Sequence, residues 1–120
     1  ELPYCFNAKT LAGDTFEERW HLQVDTGDGA EDLDLSGCTI TMSVEHDGQK
    51  VVSSRPITPE DATGGKLVQT ITAADSSTWS GIYISEVQCV FPEGHDTFAA
   101  GATKTLLRGT HRYTADIVRP

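Results

Sequence analysis

The tetrapeptide "VDTG", Val24 to Gly27, is the pattern in this chain with the most direct claim on catalysis. Aspartic proteases hold a catalytic Asp in such a segment. Two copies meet there so that one carboxyl keeps its proton, because two charges that close cannot both ionise. Here no second signature of that chemistry follows downstream. Asp28, Glu31, Asp32 and Asp34 crowd the same segment, which fits an acidic, Gly-rich surface loop over residues 25–32. A DTG-type aspartic protease is therefore a remote alternative.

The same carboxylates are oxygen ligands of the kind calcium takes, but EF-hand spacing fails because Gly27 stands where the second acid belongs. A solvated loop is the default. His21, His46, His95 and His111 are scattered, with His46 and His95 beside turns and His21 and His111 in strand-like runs. No Ser or Cys sits in a nucleophile elbow. Cys5, Cys38 and Cys89 are an odd set without C-x-x-C spacing, which argues against structural zinc. Cys89, in "SEVQCVF", reads as a small buried apolar residue. A Cys38–Cys89 disulfide and free thiols both stay open, with free thiols favoured. The expectation is no catalytic site, no metal and no cofactor.

The elements that must position these groups are mostly strands. Trp20, Leu22 and Val24 alternate at period two, as do Ile40, Met42 and Val44, and Leu67, Gln69 and Ile71. "PYCFNAK", Pro3 to Lys9, is a first strand or an N-terminal arm within residues 1–10. "HDGQ" turns a hairpin at Gly48. In "TITAADSSTWSGIYISEV", Thr72 caps a short helix over 72–78 with Asp75 near its start. Trp79 then plugs the core and Gly81 opens a long apolar strand. The last segment, Ala102 to Val118, is one broken strand or two short ones, with Gly109 as the bulge or break. This pattern predicts one all-β domain over 1–120: an antiparallel immunoglobulin-like β-sandwich of about seven or eight strands with one short helical turn.

A chain of 120 residues suits one core. No apolar run approaches the ~20 residues of a membrane helix, so no membrane partner is expected. Acids outnumber bases 18 to 9, for a net charge of −9. Only Arg108 and Arg112 lie close together in sequence. Such a chain repels phosphate backbones, which excludes nucleic acid as a partner.

The order of "GDTF" (13–16), "LDLSGCTITMSV" (33–44), "GGKLVQTITAADSSTW" (64–79), "GIYISEVQ" and "KTLLRG" resembles small phage and prophage tail proteins. These are similar to the immunoglobulin-like N-terminal domain of phage baseplate upper proteins. His111 stands where that family more often has an apolar residue, which puts the path of the final strand in question. The resemblance implies a structural or assembly protein of a virion tail or baseplate, made in the bacterial host cytoplasm. It would dock to a tail hub, to baseplate neighbours or to further copies of itself. Tyr4 and Phe6 of the arm, and Phe91 and Phe98 near the last loop, are the candidate partner contacts. The alternative is a carbohydrate- or protein-binding β-sandwich on a virion or cell surface. That reading needs aromatic platforms, and Trp20 and Trp79 are better explained as core.

Overall fold

Alternation dictates most of the strands. A computed structural model describes residues 3–25, 27–95 and 98–114. The strands are β1 Tyr4–Leu11, β2 Phe16–His21, β3 Gln23–Asp25, β4 Ala30–Asp32, β5 Thr39–His46, β6 Gln49–Pro56, β7 Lys66–Ile71, β8 Gly81–Val90 and β9 Thr103–Thr114; one helical turn, α1, spans Ala73–Ser76. Leu2 of the arm and residues 115–118 of the expected last strand lie outside the described residues.

One sheet has the order β1-β9-β8-β5-β6; β2 pairs β7, and β3 pairs β4. The β9-β8-β5 and β2-β7 groupings follow immunoglobulin-like connectivity, so the all-β sandwich expected from the alternation is what forms. Nine strands are described rather than seven or eight. The added pair is β3–β4: the acidic segment read as a loop forms a short hairpin, with Gln23 opposite Asp32 and Asp25 opposite Ala30. One pairing is parallel, β1 with β9, in the register Tyr4↔Leu107 to Leu11↔Thr114.

The core is the set that alternation selects: Ile40, Met42 and Val44 of β5, Leu67 and Ile71 of β7, and Tyr83, Val87 and Cys89 of β8. Asp47 and Gly48 both have positive φ, 51° and 79°, the two-residue turn that matches strand twist between β5 and β6. Around α1, the Thr72 hydroxyl accepts from the Asp75 N–H at 3.1 Å, while the Asp75 carboxylate accepts from the Thr72 N–H at 3.0 Å. Asp75 also takes both ends of the Arg55 guanidinium, at 2.7 and 2.9 Å, which holds its carboxyl well below the usual carboxylate range. Helix and edge strand β6 are thereby clamped together. Trp79 follows as the plug, stacked on Tyr83 at 4.5 Å and edge-on to Tyr113 at 5.1 Å.

The last strand departs from expectation. It does not break at Gly109: β9 runs unbroken from Thr103 to Thr114. The register slips between Val87↔Leu107 and Gln88↔Thr105. Leu106 is the extra residue, so Leu106 and Leu107 are both buried. Gly109 is needed for a different reason, because a Cβ there would lie 2.1 Å from Phe6 Cζ. The glycine makes room for an aromatic ring from β1. All three cysteines are free thiols, and burial of Cys89 pushes its thiol up to about 12.

Candidate docking surfaces and a buried polar cluster

Parallel pairing of β1 with β9 fixes which β1 side chains face inward. Phe6 turns in and stacks on Phe16, with ring centroids 6.1 Å apart and planes 4° from parallel. Trp20 of β2 packs against Phe6 at 4.9 Å and against Tyr4 at 5.3 Å. Tyr4 remains 52% exposed. The four rings bridge the edges of two sheets that share no main-chain hydrogen bonds. Trp20 is only partly buried, so its expected role as plain core holds for one side of the ring.

At the other pair of contacts the structure corrects the sequence reading. Phe91 is 1% exposed and belongs to the core, because its N–H donates to Ala102 O at 3.0 Å and draws the ring under the following loop. It is not a surface contact. Phe98 packs against Phe91 at 4.5 Å with Lys104 Nζ over its ring at 5.4 Å, and is half-buried. Of the four residues, Tyr4 is the one that is openly presented.

The acidic segment spends part of its charge locally. The Asp25 carboxylate accepts from the Gly27 N–H at 2.9 Å. Asp32 meets His21 at 2.7 Å and Gln23 at 3.2 Å; the Gln23 hydrogen bond and then His21 lower its pKa. Asp34 accepts from the Ser36 N–H at 2.8 Å. Among the described residues no three His, Cys, Asp or Glu side chains gather into a metal-ligand group.

One polar cluster was not legible from the sequence. His111, Ser85 and Gln69 are fully buried between the sheets. The Gln69 side-chain N–H donates to Ser85 Oγ at 3.0 Å, and Ser85 Oγ lies 2.7 Å from His111 Nε2. Ser85 Oγ has one donor and two acceptor sites, so its hydrogen bond with Nε2 runs in the direction that the imidazole tautomer sets. Nδ1 has no hydrogen-bond partner, and the edges of Phe6 and Phe16 close around the ring. The Ser–His distance is that of a nucleophile and its base, but burial closes this pair to a substrate. Compared with protein-family models and with curated proteins, the chain matches none.

Burial lowers the His111 pKa to about 4 from an ordinary 6.5. The unfolded chain therefore takes up a proton at higher pH than the folded one does. The contribution of neutral His111 is complete above about pH 6.5 and is lost as pH falls toward 4. At most about 3 kcal/mol is at stake. Asp75, whose pKa is lowered, acts only below its ordinary value of 3.8. The expected result is a stability decline between pH 6.5 and 4 that flattens in His111→Gln. Denaturant melts at half-unit pH steps check it, and equal slopes in the two proteins would refute it.

Proposed function

We propose that this chain is a structural module of a phage or prophage virion, in the tail or baseplate, that works by docking to neighbouring virion subunits. The observation that carries the reading is the number of open sheet edges. Among the described residues β1 and β6 end the five-stranded sheet, and β2–β7 is a pair with no third strand on either side. Open edges leave main-chain donors and acceptors that a neighbour's strand can pair. Exposed Tyr4 on β1 adds an apolar anchor beside one such edge. The order of sequence motifs from Gly13 to Gly109 supports the same family of roles.

The test mixes the protein with the tail-hub and neighbouring proteins of the same phage and follows light scattering. A complex is expected, and Asp25→Asn leaves it intact. If no partner binds, and the protein instead cleaves peptides in a way that Asp25→Asn abolishes, the "DTG" protease replaces this reading.

The Tyr4–Trp20 pair favours one second reading, a carbohydrate-binding module, since a half-open aromatic pair is a stacking platform. A sugar that quenches Trp20 emission in a Trp79→Phe background, and loses that effect in Tyr4→Ala, would establish it.

A further inference from the structure

β1 and β9 place a pair of cations where strand pairing disfavours them. Lys9 stands directly opposite Arg112, and both side chains are exposed on the outer face of the five-stranded sheet. Like charges in that position repel. Among the described residues neither cation has an ion-pair partner, whereas Arg108, earlier on β9, is held by Glu86 at 2.9 Å. The other neighbour of Arg112 across the ladder is Ile82, and Leu11 lies two residues beyond Lys9. Ile82 and Leu11 are two of the five large apolar side chains left exposed among the described residues. In a chain of net charge −9, this is a basic patch with an apolar rim.

Its complement is elsewhere on the same chain. The β3–β4 hairpin carries Asp25, Asp28, Glu31 and Asp32 within ten residues, 23–32. Asp28 and Glu31 are exposed, and neither has an ion-pair partner among the described residues. The hairpin leaves the sandwich at the end where His95 meets Asp34 O at 2.7 Å, beside the loop after β8. The basic patch is at the other end, where the Ala12 N–H donates to Thr114 O at 2.8 Å and β8 begins. The molecule measures 53 × 25 × 21 Å, so the two charges sit at opposite ends of an elongated body and do not neutralise each other within one chain.

We propose that copies of this chain associate head to tail, with the acidic β3–β4 hairpin of one docking on the Lys9–Arg112 patch of the next. The contact is heterologous, so it closes into a ring or continues as a filament according to the rotation between neighbours. This rests on the assembly reading and names a second copy as one partner. It fails separately, because its test uses this chain alone and needs no other virion protein.

Salt sets the conditions. At about 0.15 M, repulsion between the two net charges is screened beyond about 8 Å while contacting pairs still attract. Sedimentation velocity at rising protein concentration should show growing apparent mass there and at least tenfold weaker association at about 1 M. Two charge-reversed variants make the decisive comparison: Lys9→Glu with Arg112→Glu, and Asp28→Lys with Glu31→Lys. All four positions are exposed, and circular dichroism checks each fold. Each variant alone faces like charge with like and should stay monomeric. An equimolar mixture restores both attractions and should associate in alternation. A monomeric wild type, association that persists in either variant alone, or a mixture that stays monomeric would overturn the proposal.

Discussion

Trp79→Ala lowers the free energy of unfolding by about 3–5 kcal/mol, the cost of truncating a large aromatic side chain in a packed core. The ring is 7% exposed and touches two other aromatics, face to face with Tyr83 and edge-on to Tyr113. Its loss removes both contacts and leaves a cavity that the neighbours cannot collapse to fill. Tyr83 is held on its far side by His46, stacked at 4.2 Å, and its hydroxyl accepts from the Ser80 N–H at 3.2 Å. Tyr113 is buried near the end of β9, opposite Gly81 at the start of β8. Trp79→Phe should recover part of the loss, because a smaller ring still stacks. Urea melts of the three proteins give the measurement. A loss below about 1 kcal/mol in the alanine variant would place the ring in solvent and return it to the list of ligand platforms.

Gly65→Ala costs at least about 3 kcal/mol, for reasons of backbone rather than side-chain packing. Gly65 has a φ of 69°, in the region that L-residues avoid at a cost of about 1–2 kcal/mol. A Cβ there would also lie 2.5 Å from Leu22 O and 2.8 Å from Leu33 O. The Leu22 carbonyl is not free to step aside. Leu22 O accepts from the Leu33 N–H at 2.9 Å, and the Leu22 N–H donates to Gly65 O at 2.8 Å. Three chain segments converge on this glycine: the β2–β3 junction, the exit from β4 and the approach to β7. Relief of the clash separates them and loosens the acidic hairpin. Denaturant melts should show the loss, and amide exchange should rise first at Leu22 and Leu33. A cost under 1 kcal/mol, or exchange unchanged at those two amides, would refute this account.

The parts of the fold that follow from local rules were readable in advance. Thr72, Asp75, Trp79 and Gly81 state a cap, a plug and a strand start in eight to ten residues, and the structure follows them. Ile40, Met42 and Val44 declare their face by period two. What escaped the sequence is whatever depends on partners distant along the chain. Gly109 looked like a break because glycine weakens strands; its actual reason, Phe6, lies about a hundred residues away. His111 and Ser85 are ordinary polar residues until β8 and β9 pair and turn both inward. Lys9 joins Arg112 only through a parallel register that no turn signal announces. Phe91, read as a candidate partner contact near the last loop, is covered by a loop whose path the alternation does not encode.

The pairing of β1 with β9 also bears on how the chain is made. Tyr4 meets Leu107, so the first strand emerges from the ribosome long before its hydrogen-bonding partner exists. At roughly 5–20 residues per second, the wait for about a hundred further residues is roughly 5–20 seconds. Through that interval Tyr4 and Phe6 remain on a strand without a neighbour, and the large sheet lacks one edge. Closure therefore waits until β9 has been made, and such long-range pairing folds slowly once it begins. A nascent chain stalled before Leu106 should expose β1 to any factor that captures unpaired apolar strands, and emergence of β9 should end that exposure.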